Sequence, residues 1–281
     1  MIIDAHHHLW DPGVRRHAWL DALPSLCRPF GLADFAPLAS AHGVSASVLV
    51  QVLPSVAETR EFLAMAASGA LVAGVVGWAD LTAPDVADQI ARLRELPGGD
   101  RLAGLRHLVQ DEPDPDWLDR AEVHRGLRAL ASAGLVYDLL VRPAQLPAAI
   151  RVARDLPEVS FVLDHGGKPD IARGQYEPWA SLVGALAACP NVAVKLSGLV
   201  TEAGPHWSAA QISPYASHLI DSFGPRRLMV GSDWPVCTLA ASYGGALDLA
   251  VSLLTSRLGA ADVASVLAGN AQATYRLQLP G

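Results

Sequence analysis

The strongest constraint on the fold of this chain is a rhythm. Short apolar runs alternate with stretches of helical period, and eight such runs occur within 281 residues. The first opens the chain at Ile2-Ile3, and the others lie at residues 46–52, 71–78, 102–108, 136–141, 159–163, 192–196 and 227–230. Ala46-Ser-Val-Leu-Val-Gln-Val52 is a nearly unbroken apolar segment bounded by Gly and Pro, the pattern of a strand buried on both faces. Helical period marks residues 30–43, 58–68, 117–133, 145–156, 176–188 and 208–223, with two more helices at 246–257 and 261–267. A further helix is read from Thr82 as cap, Pro84 in the first turn and a buried stripe of Val86, Ile90 and Leu93. Strands alternating with helices imply a parallel sheet, and eight units in a chain of this length are the content of a (β/α)8 TIM-like barrel. A doubly wound open sheet is the alternative, but no Gly-rich phosphate fingerprint follows the first strand. No composition break or linker interrupts the series, so residues 1–281 are expected to form a single barrel domain.

Apolar residues make up 51% of the chain and charged residues 17%, enough for a large buried core. A formal charge of -7 argues against nucleic acid or an anionic membrane as partner. No apolar run reaches the roughly 18 residues a membrane span needs, and no basic, then apolar leader opens the chain. Cys27, Cys189 and Cys237 are odd in number and widely spaced, which predicts a reduced, cytoplasmic protein. Assembly into a homo-oligomer stays open.

In a barrel of this kind, chemistry sits where strands end. Here the strand ends carry polar residues that are costly to bury. The first strand leads into Asp4-Ala-His-His-His8; alternation places Asp4, His6 and His8 on one face and His7 on the other. Two imidazoles spaced two apart converge on one point, as a metal ion or a polarised carbonyl requires. The run follows a strand pattern rather than a polar leader, so it is not a tag. The fourth strand ends in Arg106-His107, the fifth holds Asp138, and the sixth runs into Asp164-His-Gly-Gly-Lys168. The seventh gives Lys195-Leu-Ser-Gly198 and the eighth Gly231-Ser-Asp-Trp-Pro235. Between strand one and the first helix, residues 11–29 are rich in Pro, Trp and Arg without any period, which predicts a long ordered loop near the site.

The D-x-H-x-H at Asp4–His8, the single His165 and Gly231-Ser-Asp-Trp-Pro235 together resemble the amidohydrolase superfamily. Gly104-Leu-Arg-His-Leu-Val-Gln-Asp-Glu-Pro113, Asp164-His-Gly-Gly-Lys-Pro169 and Lys195-Leu-Ser-Gly-Leu-Val-Thr-Glu202 narrow the likeness to the amidohydrolase-2 branch of sugar lactonases. That branch includes enzymes similar to L-fuconolactonase and L-rhamnonolactonase, with pyrone-dicarboxylate lactonase more distant. The likeness runs from Ile3 through Tyr275, and it rests on the order of individually weak motifs. It implies a small-molecule sugar lactone as partner and a hydrolytic reaction. The sequence departs from binuclear members, which place a bridging carboxylated Lys or Glu after strand four and a His after strand five. Arg106-His107 and Asp138 stand there instead, so the resemblance implies one divalent ion, zinc first in line, or metal-independent action.

Lactone hydrolysis needs an activated water, a polarised carbonyl and a proton for the leaving alkoxide. Asp233 is the natural base, with His165 and Arg106 as catalytic companions. His6, His8, His165 and Asp233 are the expected metal ligands. Without metal, the imidazoles and Arg106 can hydrogen-bond the developing oxyanion. Asp138, Lys195, His107 and Trp234 are left to bind the substrate. A metal-dependent decarboxylase and a non-catalytic carbohydrate-binding barrel are the competing readings. The first needs cations gripping a carboxylate, and Arg106 is the one strong candidate; the second leaves the His and Asp set without a purpose.

Overall fold

The computed structural model describes residues 1–279. Eight strands form one parallel sheet in chain order: β1 (Ile2–His7), β2 (Val44–Val50), β3 (Val72–Gly77), β4 (Leu102–His107), β5 (Val136–Leu139), β6 (Ser160–Leu163), β7 (Val192–Leu196) and β8 (Leu228–Val230). The helices are α1 (Leu32–Ala41), α2 (Val56–Ala67), α3 (Val86–Arg94), α4 (Ala121–Ser132), α5 (Leu146–Asp155), α6 (Trp179–Ala187), α7 (Leu199–Ala203), α8 (Ala209–Phe223), α9 (Tyr243–Thr255), α10 (Ala260–Ala264) and α11 (Asn270–Tyr275). The seam between β8 and β1 is closed just beyond β8. Asp233 N donates to His6 O at 2.8 Å and His8 N donates to Trp234 O at 2.7 Å. The architecture is therefore the (β/α)8 barrel, and the open sheet is excluded. No helix among the described residues is long and apolar enough to cross a membrane.

Local chemistry explains most boundaries. Ser55 caps α2 by accepting from Glu58 N, and Ser208 with Gln211 forms a capping box at the start of α8. Thr82 does not cap α3: its hydroxyl is bonded to Asp80 Oδ1 at 2.6 Å, and the helix starts after Asp85. The last helical stretch does not end at residue 267 either. One π-type turn over Ser265–Gly269 carries it on into α11. Residues 11–29 form the expected loop, stiffened by short 3-10 turns and pinned where Trp10 Nε1 donates to Leu26 O at 3.1 Å.

Two apolar layers hold the fold. An outer layer lies between strands and helices, with Phe35, Leu63, Leu127, Val152, Trp179 and Leu219 all buried. An inner layer of Ile3, Ala46, Val48, Val76, Val136, Val162 and Met229 fills the barrel, and Tyr275 and Leu277 close its N-terminal end. Filling that end leaves only the C-terminal mouth open for chemistry.

Candidate active site

The register of β1 shifts relative to β2 between Asp4 and His7. Asp4 Oδ1 accepts from His6 N at 3.2 Å, and the rest of its carboxylate faces outward to Ser232 and to Tyr243 of α9. A strand irregularity re-aims the side chains that follow it. Asp4 therefore leaves the face assigned to it by simple alternation and ties β1 to the residues after β8. Burial raises its carboxyl to about 6. His6 and His8 do share a face, with Nε2 atoms 3.1 Å apart. His7 points the other way, stacked on Phe35 with a ring separation of 3.9 Å and paired with Ser47.

Three imidazoles now turn Nε2 toward Asp233. His8 Nε2 lies 3.4 Å from Asp233 Oδ1, and the Nε2 atoms of His6 and His165 each lie 3.8 Å from it. Each ring is oriented from its far side. His8 Nδ1 donates to Val50 O at 2.8 Å, His165 Nδ1 faces Ser197 Oγ at 2.9 Å, and His6 Nδ1 lies 3.3 Å from Asp164 Oδ1. Such outer partners fix the ring and leave Nε2 to coordinate, the arrangement found around bound metal. Ligand atoms of His6, His165 and Asp233 lie within 4.8 Å of one another, so the donor set fits one divalent ion. Burial lowers His165 to about 4 and His6 well below its usual range, so both rings are neutral at pH 7 with lone pairs available. Burial alone would raise the Asp233 carboxyl, but the imidazoles around it, His165 first, outweigh burial and hold the group below its usual range, so it is ionised.

Backbone strain marks the same residues. His165 and Asp233 sit at φ of 52° and 58°, in the left-handed region that residues with a Cβ seldom enter. Gly198 makes room beside them: a Cβ there would lie 2.6 Å from His165 Nδ1. A mouth cavity of about 470 Å³ opens over His8, Arg106, His165 and Asp233, with Trp10 and Trp19 of the first loop on one wall. His6 lies one layer deeper.

Arg106 reaches this floor as a fixed group. It bonds Gln51 through Nε and Nη2, and its Nη1 donates to Asp164 Oδ2 at 2.9 Å and lies 3.3 Å from His6 Nε2. Asp164, with no role in the sequence reading, is the hub, since Lys195 Nζ also approaches its Oδ1 at 3.0 Å. Burial would raise the Asp164 carboxyl, but Lys195, His6 and Arg106 hold it well below the usual range.

The four residues expected to bind substrate do not line the cavity. Asp138 and Lys195 are fully buried beneath the cluster, paired with each other and with Tyr275. Lys195 Nζ lies 3.2 Å from His6 Nδ1, so it supports the imidazoles from below. His107 stacks on Trp117 and pairs with Glu112 at 2.7 Å, outside the mouth. Trp234 packs against Phe30 and Phe35. Gln110, Lys168, Thr201 and Arg142 line the cavity in their place, none of them given a substrate-binding role from the sequence.

The family model described as amidohydrolase matches residues 3–277. The chain belongs to the amidohydrolase family. This amidohydrolase is 40% identical over 282 residues to the L-fucono-1,5-lactonase of Burkholderia ambifaria, spanning 99% of this chain and 96% of that protein. The L-fucono-1,5-lactonase of Burkholderia multivorans is 38% identical over 292 residues, spanning 99% and 97%. A solved amidohydrolase from Burkholderia multivorans with bound zinc superposes at a TM-score of 0.93 with 38% identity, covering 99% of this chain and all of that one.

Proposed function

We propose that this amidohydrolase opens a sugar-acid lactone, an aldono-1,5- or 1,4-lactone of the L-fucono, L-rhamnono or galactono type. The observation that carries the reading is an ionised, buried Asp233 ringed by three imidazoles on the floor of a cavity of about 470 Å³. The names of the two lactonases, similar over almost the whole chain, support the same substrate class.

In this reading the ester carbonyl lies over His8, His165 and Asp233. Asp233 accepts a proton from water as the water oxygen bonds to the carbonyl carbon. The ring C–O bond then breaks, and the same proton passes to the departing ring oxygen, giving the open hydroxy acid. Arg106, locked by Gln51 and Asp164, supplies fixed positive potential for the developing oxyanion. His6, His8, His165 and Asp233 would hold one zinc ion, whose chemistry is to acidify water and polarise the ester. We place the enzyme in the cytoplasm, a setting that suits the unpaired Cys27, Cys189 and Cys237. A panel of aldonolactones in lightly buffered pH indicator tests the proposal, because each ring opened releases one proton. Enzyme-dependent acidification with at least one member is expected; no acidification above the spontaneous rate with any of them overturns it.

A further inference from the structure

We infer that Gln110 and Thr201 read the ring hydroxyls of the substrate and set the specificity of the cavity. The inference rests on the lactonase reading above and deepens it. Most polar groups around the cavity are already committed within the protein. Arg106 is held by Gln51 and Asp164, His165 by Ser197, His8 by Val50, and Lys168 by Glu202 at 2.9 Å. Asp111 and Arg142 reach solvent at the rim and need no ligand to satisfy them. Two groups differ. Gln110 Oε1 and Thr201 Oγ1 are buried and have no hydrogen-bond partner among the described residues, yet both residues line the cavity. An unpaired buried acceptor or hydroxyl costs about 1–3 kcal/mol, so such groups are kept where something else bonds them.

Their placement fits a ring held at both ends. Gln110 sits in a tight turn after β4, fixed where its own N donates to Leu140 O and Gln145 Nε2 donates to Val109 O. β4 lies across the barrel from β8, which delivers Asp233, so Gln110 faces the chemistry from the opposite wall. Thr201 sits in α7 directly after β7, next to β8, with its N bonded to Gly198 O. An amide oxygen accepts a hydroxyl proton, and a threonine hydroxyl both donates and accepts, so the pair matches hydroxyls on a neutral ring. Neither group touches the reacting ester in this arrangement; they hold the ring that carries it.

The test pairs Gln110→Leu and Thr201→Val with two lactones of equal ring size. L-fucono-1,5-lactone carries ring hydroxyls, and δ-valerolactone carries none. Each substitution is expected to raise KM for the hydroxylated lactone by about tenfold, with kcat changed less and kcat/KM for δ-valerolactone unchanged. Thr201→Ser keeps the hydroxyl and is expected to retain the wild-type KM. Equal losses on both lactones, no loss on either, or a Ser variant as impaired as the Val variant overturns the assignment. Should either apolar variant fail to fold, a Thr201→Ser protein with raised KM still overturns it, and a wild-type KM supports it. A wild-type enzyme that opens neither these lactones nor any other aldonolactone refutes the lactonase reading itself and this inference with it. Wild-type activity on hydroxylated lactones that Gln110→Leu and Thr201→Val leave unchanged refutes only the role of Gln110 and Thr201.

Discussion

Asp233 combines a left-handed backbone, a buried carboxylate and three imidazole neighbours, and only its side chain carries the chemistry proposed for it. Its backbone N closes the barrel seam on His6 O, a bond that Asn keeps. Asp233→Asn is therefore expected to fold normally while kcat falls by about two to four orders of magnitude; a folded variant with near wild-type turnover removes Asp233 from the mechanism. The same residues argue for one metal ion. The described residues offer one cluster of candidate ligands, His6, His165 and Asp233, and Asp138, which a second ion would need, is tied to Lys195 and Tyr275. Elemental analysis of protein purified without chelator should find no more than one equivalent, and two tightly held ions per chain contradict that. Glu58 offers a test of electrostatics away from the cluster. Burial raises its carboxyl from 4.5 to about 7, although Val52 N and Leu53 N donate to it. A carboxyl raised on folding contributes stability below its unfolded value and loses it as pH climbs through the folded one. Glu58→Gln mimics the protonated form, so its Tm should match wild type at pH 5 and exceed it by about 5 °C at pH 8.5. An equal Tm at both pH values would show that the carboxyl is not perturbed. Much of this scale was legible: His6, His8, His165 and Asp233 stand out because imidazole and carboxylate at strand ends are too costly to be incidental. Asp138 and Lys195 carry the same signal, yet they form a buried pair one layer down. The two cases differ only in depth along the barrel axis, which sequence does not encode.

At the scale of elements, alternation along β1 locates His6, His7 and His8 correctly but misplaces Asp4. The register shift that turns it outward arises from its own bond to His6 N and from Ser232 and Tyr243, partners 228 and 239 positions away. The helical stretch ending in α11 shows the same limit. The period reads as ending at residue 267, whereas Tyr275 OH bonded to Asp138 at 2.8 Å and buried Leu277 draw the chain on into the barrel floor. Gln110 and Thr201 lie inside quoted motifs, but nothing in the sequence marks either as a binding group, since a lone Gln or Thr near a strand end is ordinary. Close packing between elements also yields a prediction at Gly198. Its φ of 67° and the 2.6 Å approach of an added Cβ to His165 Nδ1 mean that alanine must displace the imidazole. Gly198→Ala should cost about 1–2 kcal/mol of stability from the backbone alone, a few degrees of Tm. Its kcat should fall further, by about 10²-fold, because misplacing a reacting group by an ångström has that effect. Wild-type kcat in a protein with lowered Tm would mean that His165 accommodates the methyl and is not positioned by Gly198.

On the scale of the whole molecule, a closed eight-stranded barrel with a filled N-terminal end directs every strand's last residues to one mouth, so the mouth's charge decides what enters. Three basic residues stand at the strand ends, Arg106, Lys168 and Lys195, and the structure commits each of them. Arg106 and Lys195 are buried against Asp164, Lys195 also against Asp138, and Lys168 pairs with Glu202. Arg142 lines the cavity and makes no salt bridge among the described residues, leaving one cation without a carboxylate partner. A flat dicarboxylate needs at least two such groups, and the chain's net charge of -7 opposes its approach. A neutral polyhydroxylated ring needs none, since amide, hydroxyl and carboxylate groups bind hydroxyls directly. KM for a neutral aldonolactone should therefore change by less than about twofold between 50 mM and 500 mM salt, because screening acts on charged ligands. A pyrone dicarboxylate should be opened slowly or not at all. Rapid hydrolysis of that dianion with every neutral aldonolactone inert, or a KM for the neutral ring that climbs steeply with salt, would show that the mouth recognises charge after all.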